Sequence, residues 1–335
     1  MRLKKLVAVL LVLTFAVMLT SCGSSQDTSS GKSEGGSSTN SKVEKIALVI
    51  NGPVADGGWN SNAWLGLEQA KEKYGCEIAV SENVKQADYE TAFRDYANQG
   101  YDIIFANGFE FTDAVKAVAP EYPDVYFAII NGGYSGENIV SLNFDEYLKG
   151  FMAGALAGLM TKTNVVGYVG GEEVPSVTNG LAGYKAGLAY TNPDAKVVST
   201  IADSWDDMAK GKEIAISQIT SANADILYSI ASSVDTGVID GAKEMGKYVI
   251  GQPNDKLDSA PGTVIASTIG STPYLVMLAV DAVAEGTFKG EGMVGTLDNG
   301  VHSWGKFGPE VPQEVQDQMN QLVQDIIDGK VKLEH

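Results

Sequence analysis

Four aromatic residues, Trp59, Phe109, Phe111 and Trp205, stand in short polar stretches that directly follow apolar runs, and amide or carboxylate residues flank each of them. A ring placed there can stack on a flat ligand ring, each stack contributing about 0.5–1.5 kcal/mol beyond burial. A carboxamide such as Asn60 both donates and accepts, and a carboxylate such as Asp113 accepts from an amine or ring N–H, so the two can read the edge of such a ring. For any one aromatic, core packing is the simpler role. Four of them in equivalent stretches make binding of a planar, uncharged heteroaromatic molecule the expected chemistry. Asp56, Asp235, Gln252, Asn254 and Asp255 occupy stretches of the same kind and are candidate polar contacts.

Other chemistries find little support. The two histidines, His302 and His335, lie near the C-terminus, which argues against a His-based triad or a His-ligated zinc site. No GxxxxGK[ST] or GxGxxG follows an apolar run, so nucleotide-phosphate binding is not indicated. Asp203, Asp206 and Asp207 read more simply as a solvated loop or helix N-terminus than as a calcium site. We expect neither enzyme activity nor a metal or cofactor. The net charge of −18 disfavours nucleic acid and anionic membrane as partners. Beyond Arg2 the only arginine is Arg94, and scarcity of the bidentate guanidinium makes an anionic ligand less expected.

These residues must be positioned by regular elements, and the pattern is a repeating one. Apolar runs at 45–50, 76–82, 101–107, 125–131 and 139–144 alternate with stretches of helical period, and a second series runs at 164–171, 196–205, 224–231, 248–253 and 263–269. Runs apolar on both faces, alternating with helices, predict parallel sheets covered on each side. The expected fold class is α/β, with two doubly wound lobes joined by the small-residue helix of 145–161. Ligands of such sheets sit beyond the carboxyl ends of the strands, so facing lobes would enclose an interlobe cleft. The glycines of 51–58 fall where a phosphate loop would, with Trp59 and Asn60 in place of a lysine; helix is expected only from Ala63.

The N-terminus is a leader in pattern. MRLKK is positively charged, LVAVLLVLTFAVM is apolar but short for a spanning helix, and LTSC closes it at Cys22. This resembles a lipobox, with residues 1–21 as signal peptide and Cys22 as the lipidated residue. Residues 22–42 then form a Gly/Ser-rich tether with a reach of roughly 25 Å. Cys76 is the only other cysteine, read as a small buried hydrophobe.

From Val43 to its last helix the chain resembles the basic membrane protein family, periplasmic-type binding lipoproteins of ABC importers that include purine nucleoside receptors. The matching stretches include DGGWNSNAWLGL, NGFEFTDAVKAVAPEYPDVYFAIING, FDEYLKGFMAGALAGL, DSWDDMAKGKEIA and IGQPNDK. The resemblance implies a type I periplasmic-binding-protein fold with three interlobe crossovers. It implies a purine held between Trp59 and Trp205, with Asn60 and Asp113 as base contacts, and an ABC permease and ATPase as partners. Lobe 1 is expected to span 43–144 plus about 267–297, and lobe 2 145–266 plus about 298–335, in a monomer anchored by lipid alone at the extracytoplasmic face of a bacterial membrane. One departure bears on the ligand. Pro253 stands where the nucleoside-binding branch has a ribose-binding aspartate, and Gly270 where it has an assisting lysine, so a free purine base is expected over its nucleoside. A sugar in the same cleft, or a surface signalling or adhesion role without transport, are the alternatives.

Overall fold

The computed structural model describes residues 43–56 and 58–334; the leader, Cys22 and the tether lie outside the described residues. Strands β1 (Lys45–Val49), β2 (Glu77–Ser81), β3 (Ile103–Asn107), β4 (Tyr126–Ile130) and β5 (Ile139–Phe144) form one sheet with β11 (Met293–Gly295), in the order β11-β5-β4-β3-β1-β2. All its pairings are parallel. A second sheet has the order β12-β10-β9-β8-β6-β7, from β6 (Val165–Gly170), β7 (Lys196–Ile201), β8 (Ile226–Ile230), β9 (Tyr248–Gly251), β10 (Val264–Gly270) and β12 (His302–Trp304). There only β12 is antiparallel, on β10.

Helices cover both faces of each sheet. In the first lobe α1 (Trp59–Tyr74) and α8 (Thr272–Ala284) bury Leu67, Leu275 and Val276 against Ile46, Leu48 and Phe105. On the other face α2 (Tyr89–Asn98), α3 (Thr112–Val118) and the tight turn of 109–111 that leads into α3 bury Phe93, Val115 and Phe111 against Ala47, Ile104 and Phe127. The second lobe has α4 (Glu146–Met160), α5 (Pro175–Thr191) and α9 (Gln313–Ile327) on one face, and α6 (Met208–Ala222) with α7 (Ser233–Glu244) on the other. Central strands such as β3 and β8 are buried along their whole length, which is why they read as unbroken apolar runs.

The glycines of α4 and α5 let the two backbones touch. A Cβ on Gly154 would lie 2.0 Å from the Tyr184 carbonyl oxygen, and one on Gly187 1.9 Å from that of Phe151. Only residues without side chains permit that approach, and they recur at the one-turn spacing that keeps them on one face.

The chain leaves the first sheet after β5, returns after β10 and crosses again between β11 and β12. Because β10 runs to Gly270 within the second sheet, the return falls at Ser271 rather than near 267. One buried side chain spans all three crossings. His302 Nε2 accepts from the Asp145 N–H at 3.0 Å, which leaves the proton on Nδ1 to donate to the Ile269 carbonyl at 3.1 Å. Burial, with Lys149 nearby, lowers its pKa to about 3. The Ser271 N–H closes the set on the Val301 carbonyl at 2.8 Å.

Candidate ligand-binding site

Strand order reverses beside β1 in one sheet and β6 in the other, and the loops at those carboxyl ends face a shared cavity of about 790 Å³. Its size falls in the range of small-molecule sites. A second hollow of about 460 Å³ shares Phe144 and Glu146 with it and reaches Asn143 and Asn179.

Trp59 and Trp205 both line the cavity, one from each lobe. Trp59 is the first residue of α1, because Asp56 accepts from the backbone N–H groups of Gly58, Asn60 and Ser61 at 2.8–3.0 Å and so starts the helix four residues earlier than expected. Its indole N–H donates to the Asn107 carbonyl at 3.2 Å, which fixes the ring while leaving it 39% exposed. Trp205 lies on Gly171, where an added Cβ would come within 2.4 Å of the indole, and its carbonyl accepts from the N–H groups of Ser233 and Val234. Although partial burial works the other way, the backbone donors hold the Asp56 carboxyl below the usual carboxylate range.

Asp56, Asp235, Gln252 and Asn254 also line the cavity. The remaining expected residues do not. Asn60 is buried on the inner side of the first turn of α1, its oxygen accepting from Asn107 at 2.9 Å and its NH₂ donating to the Pro53 carbonyl at 3.3 Å, so each end already has one partner within the lobe. Phe111 is a core residue, 4.1 Å from the Tyr89 ring and 6.0 Å from that of Phe93. The tight turn of 109–111 sends Phe109 the other way, out to solvent beside Gly133. Asp113 is exposed on the first turn of α3, outside the lining. Asp255 accepts from the Lys306 N–H at 3.0 Å and the Leu257 N–H at 3.1 Å and secures the segment after β12.

Sequence reasoning missed a polar wall in the second lobe. Lys149, on the first turn of α4, is buried and pairs with Glu146 at 2.9 Å. Its ammonium is 3.5 Å from Gln252 Oε1, and Gln252 Nε2 donates to Asp235 Oδ2 at 2.9 Å. Burial, only partly offset by hydrogen bonds from Ser229, Gln252 and the Ala231 backbone, pushes the Asp235 carboxyl up to about 7. Pro253 and Gly270 do line the cavity. A Cβ on Gly270 would press on the Phe144 ring at 3.2 Å and touch the Lys149 stem at 3.6 Å. The signal was present in the sequence as one lysine and one glutamate, three residues apart, at the head of an otherwise apolar helix. In all, four carboxylates and three lysines line the cavity, so its charges nearly cancel.

Two doubly wound lobes, three crossings and a cavity between the strand ends define the type I periplasmic-binding-protein fold. The chain belongs to the Bmp family of PnrA-like ABC transporter substrate-binding proteins, whose profile matches residues 43–334. It is 32% identical to the ABC transporter nucleoside-binding protein BmpA of Lactococcus lactis, over 90% of this chain and 92% of the other. It is 28% identical to the transcriptional activator protein med of Bacillus subtilis, over 93% and 95%. Among solved structures, a transcriptional activator of the comK gene from Bacillus halodurans superposes with a TM-score of 0.78 at 25% identity, covering 87% of this chain and all of that one. A solute-binding protein of an ABC transporter system from Conexibacter woesei gives 0.71 at 22% identity, over 87% and 98%. Among the described residues no helix is long and apolar enough to cross a membrane.

Proposed function

We propose that the cavity binds a purine, as the base or its nucleoside, with the ring held between Trp59 and Trp205, and that the protein delivers it to an ABC permease from the extracytoplasmic face of the membrane. The observation that carries this is the presence of two partly exposed tryptophans, one from each lobe, in the lining of one cavity. Asp56 and Asn62 supply polar groups beside Trp59. The near balance of charge suits a neutral heterocycle, and the relative named as nucleoside-binding supports the same class. The expectation of a free base rested on Pro253 and Gly270, but Lys149, Glu146 and Asp235 furnish polar partners for a substituent on the ring. Lipidation at Cys22 provides the anchor, and the protein acts as a monomer.

Calorimetric titration with adenine, guanine and hypoxanthine, their nucleosides, and glucose, galactose and ribose tests the assignment. Purine binding with no response to free sugars is expected, and sugar binding without purine binding overturns it. A second reading, that the liganded protein reports to the cell instead of feeding it, is favoured by the relatives named as transcriptional activators. Uptake of labelled ligand that is unchanged in cells lacking the protein would decide for that reading.

A further inference from the structure

Each crossing between the lobes turns on very little chain. β5 ends at Phe144 and α4 begins at Glu146, so Asp145 alone makes the first crossing; β10 ends at Gly270 and α8 begins at Thr272, so Ser271 alone makes the second. The two residues share nearly the same backbone conformation, φ −80° and ψ 88° against φ −87° and ψ 102°. The third crossing, 296–301, is folded on itself, Asn299 Oδ1 accepting from the N–H groups of Thr296 and Val301 at 2.9 and 3.2 Å. Val301 plugs the core of the first lobe, while the next residue, His302, pairs with Gly270 in the second sheet.

A peptide group is planar and rigid, so the Asp145 N–H moves with Phe144 and the first lobe however Asp145 turns about its own φ and ψ. The Ile269 carbonyl moves with β10 and the second lobe. The His302 imidazole, 1% exposed and outside the cavity lining, bonds to both and so joins one lobe to the other at the pivot itself. A bond on the axis of rotation keeps its length when the lobes turn and breaks when they slide past each other. Lobes can close by either motion, but two tryptophans from separate lobes stack on one ligand only if the lobes meet in a fixed register. We propose that His302 is a positioning residue for ligand binding: it lets the lobes rotate about Asp145 and Ser271 and stops them sliding, so that Trp59 and Trp205 arrive together on opposite faces of the ligand. The proposal rests on the reading that the ligand is held between the lobes, and not on which ligand it is.

Two substitutions separate the bonds. Gln can turn its oxygen to the Asp145 N–H and its NH₂ to the Ile269 carbonyl, whereas Asn, one carbon shorter, keeps the Ile269 bond and strands the Asp145 N–H. Calorimetry on the full chain with adenine, adenosine, guanine and guanosine, well below each variant's Tm, should find at least fivefold weaker binding in His302→Asn and less than a twofold change in His302→Gln. Lobe spacing is read from spin labels at Lys85→Cys and Ser199→Cys in a Cys22→Ser background, at exposed sites on or beside the edge strands β2 and β7, with Cys76 buried away from the label. The ligand-free distance distribution should be wider in His302→Asn than in His302→Gln or the unsubstituted protein. A merely structural role would lower Tm and leave affinity and width alone. Equal widths in all three proteins, or undiminished affinity in His302→Asn, overturn the proposal. Should His302→Asn fail to fold, amide exchange in the unsubstituted protein decides: the Asp145 N–H should stay protected with and without ligand, and loss of that protection at saturation means that the bond does not lie on the axis. If the unsubstituted protein binds no purine, the purine assignment fails by itself, and the ligand-free widths still decide this inference.

Discussion

Asp235 and His302 are both buried and both kept from their usual charge, yet acid acts on them in opposite directions. The folded chain raises Asp235 from 3.8 to about 7, so its contribution is complete below about 3.8 and is lost as the pH rises toward 7. It lowers His302 from 6.5 to about 3, so that contribution is complete above about 6.5 and is lost as the pH falls toward 3. Between about 4 and 6.5 the two offset each other. Melting profiles over pH 4–8 should therefore diverge on substitution. In Asp235→Asn the Tm should fall more steeply on acidification than in the unsubstituted protein, and in His302→Gln it should fall as the pH rises. Coincident profiles for all three proteins would refute both assignments. The tryptophans give a second residue-scale expectation. Trp59→Ala or Trp205→Ala should weaken purine binding by roughly 1–3 kcal/mol, with less effect on the ligand-free fold than Phe111→Ala, which should cost about 3–5 kcal/mol. Near-normal affinity with a large loss of ligand-free stability would return the tryptophans to the core. That both tryptophans line the cavity was legible in the sequence, because loops after buried strands must face the same side. That Asn60 and Phe111 lie outside the lining was not legible, because which side a residue takes depends on the phase of the first helical turn, and that is set by a cap and a tight turn the periodicity does not show. Lys149 was overlooked because a single charge on an apolar helix does not alter its period.

At the scale of elements, the ten longer strands were readable as apolar runs, the central ones because burial on both faces leaves no alternation to confuse with a loop, while the edge strands β2 and β7 are only partly buried. β11 and β12 were not, each being a three-residue edge strand with too few residues to form a pattern. The contact between α4 and α5 shows what composition can carry. The glycines are visible in sequence as a low-volume helix, and the structure shows that they allow backbone contact. Gly154→Ala should destabilise the protein by about 1–3 kcal/mol or more, because its Cβ would meet the Tyr184 carbonyl at 2.0 Å and the helices would have to part. Gly292→Ala, where the nearest atom is 3.7 Å away, is the neutral control. Chemical denaturation of the two variants checks the difference; similar midpoints would mean that the helices separate without cost.

At the scale of the whole molecule, each lobe contributes one tryptophan to the cavity, so full contact with a flat ligand requires the lobes to approach it together. Small-angle scattering should show a smaller radius of gyration with purine than without. No change at saturating ligand would mean that the site is already closed before binding. Cys22→Ser should move the protein from the membrane to the soluble fraction with its ligand affinity intact, and retention on washed membranes would remove the lipid anchor from the account. The three crossings also constrain how the chain is made. The first sheet gains its last strand only at Met293–Gly295 and the second only at His302–Trp304, while α8 must come back to cover the first lobe. Synthesis proceeds from the N-terminus, so a nascent chain that has passed Phe144 holds most of one sheet with an uncovered apolar face and an unpaired edge, hazards for association with neighbours. Neither lobe can be completed before nearly the whole polypeptide has emerged. A stop codon anywhere between about residues 43 and 304 would therefore leave no complete lobe behind, so neither half of the molecule can be made without the other.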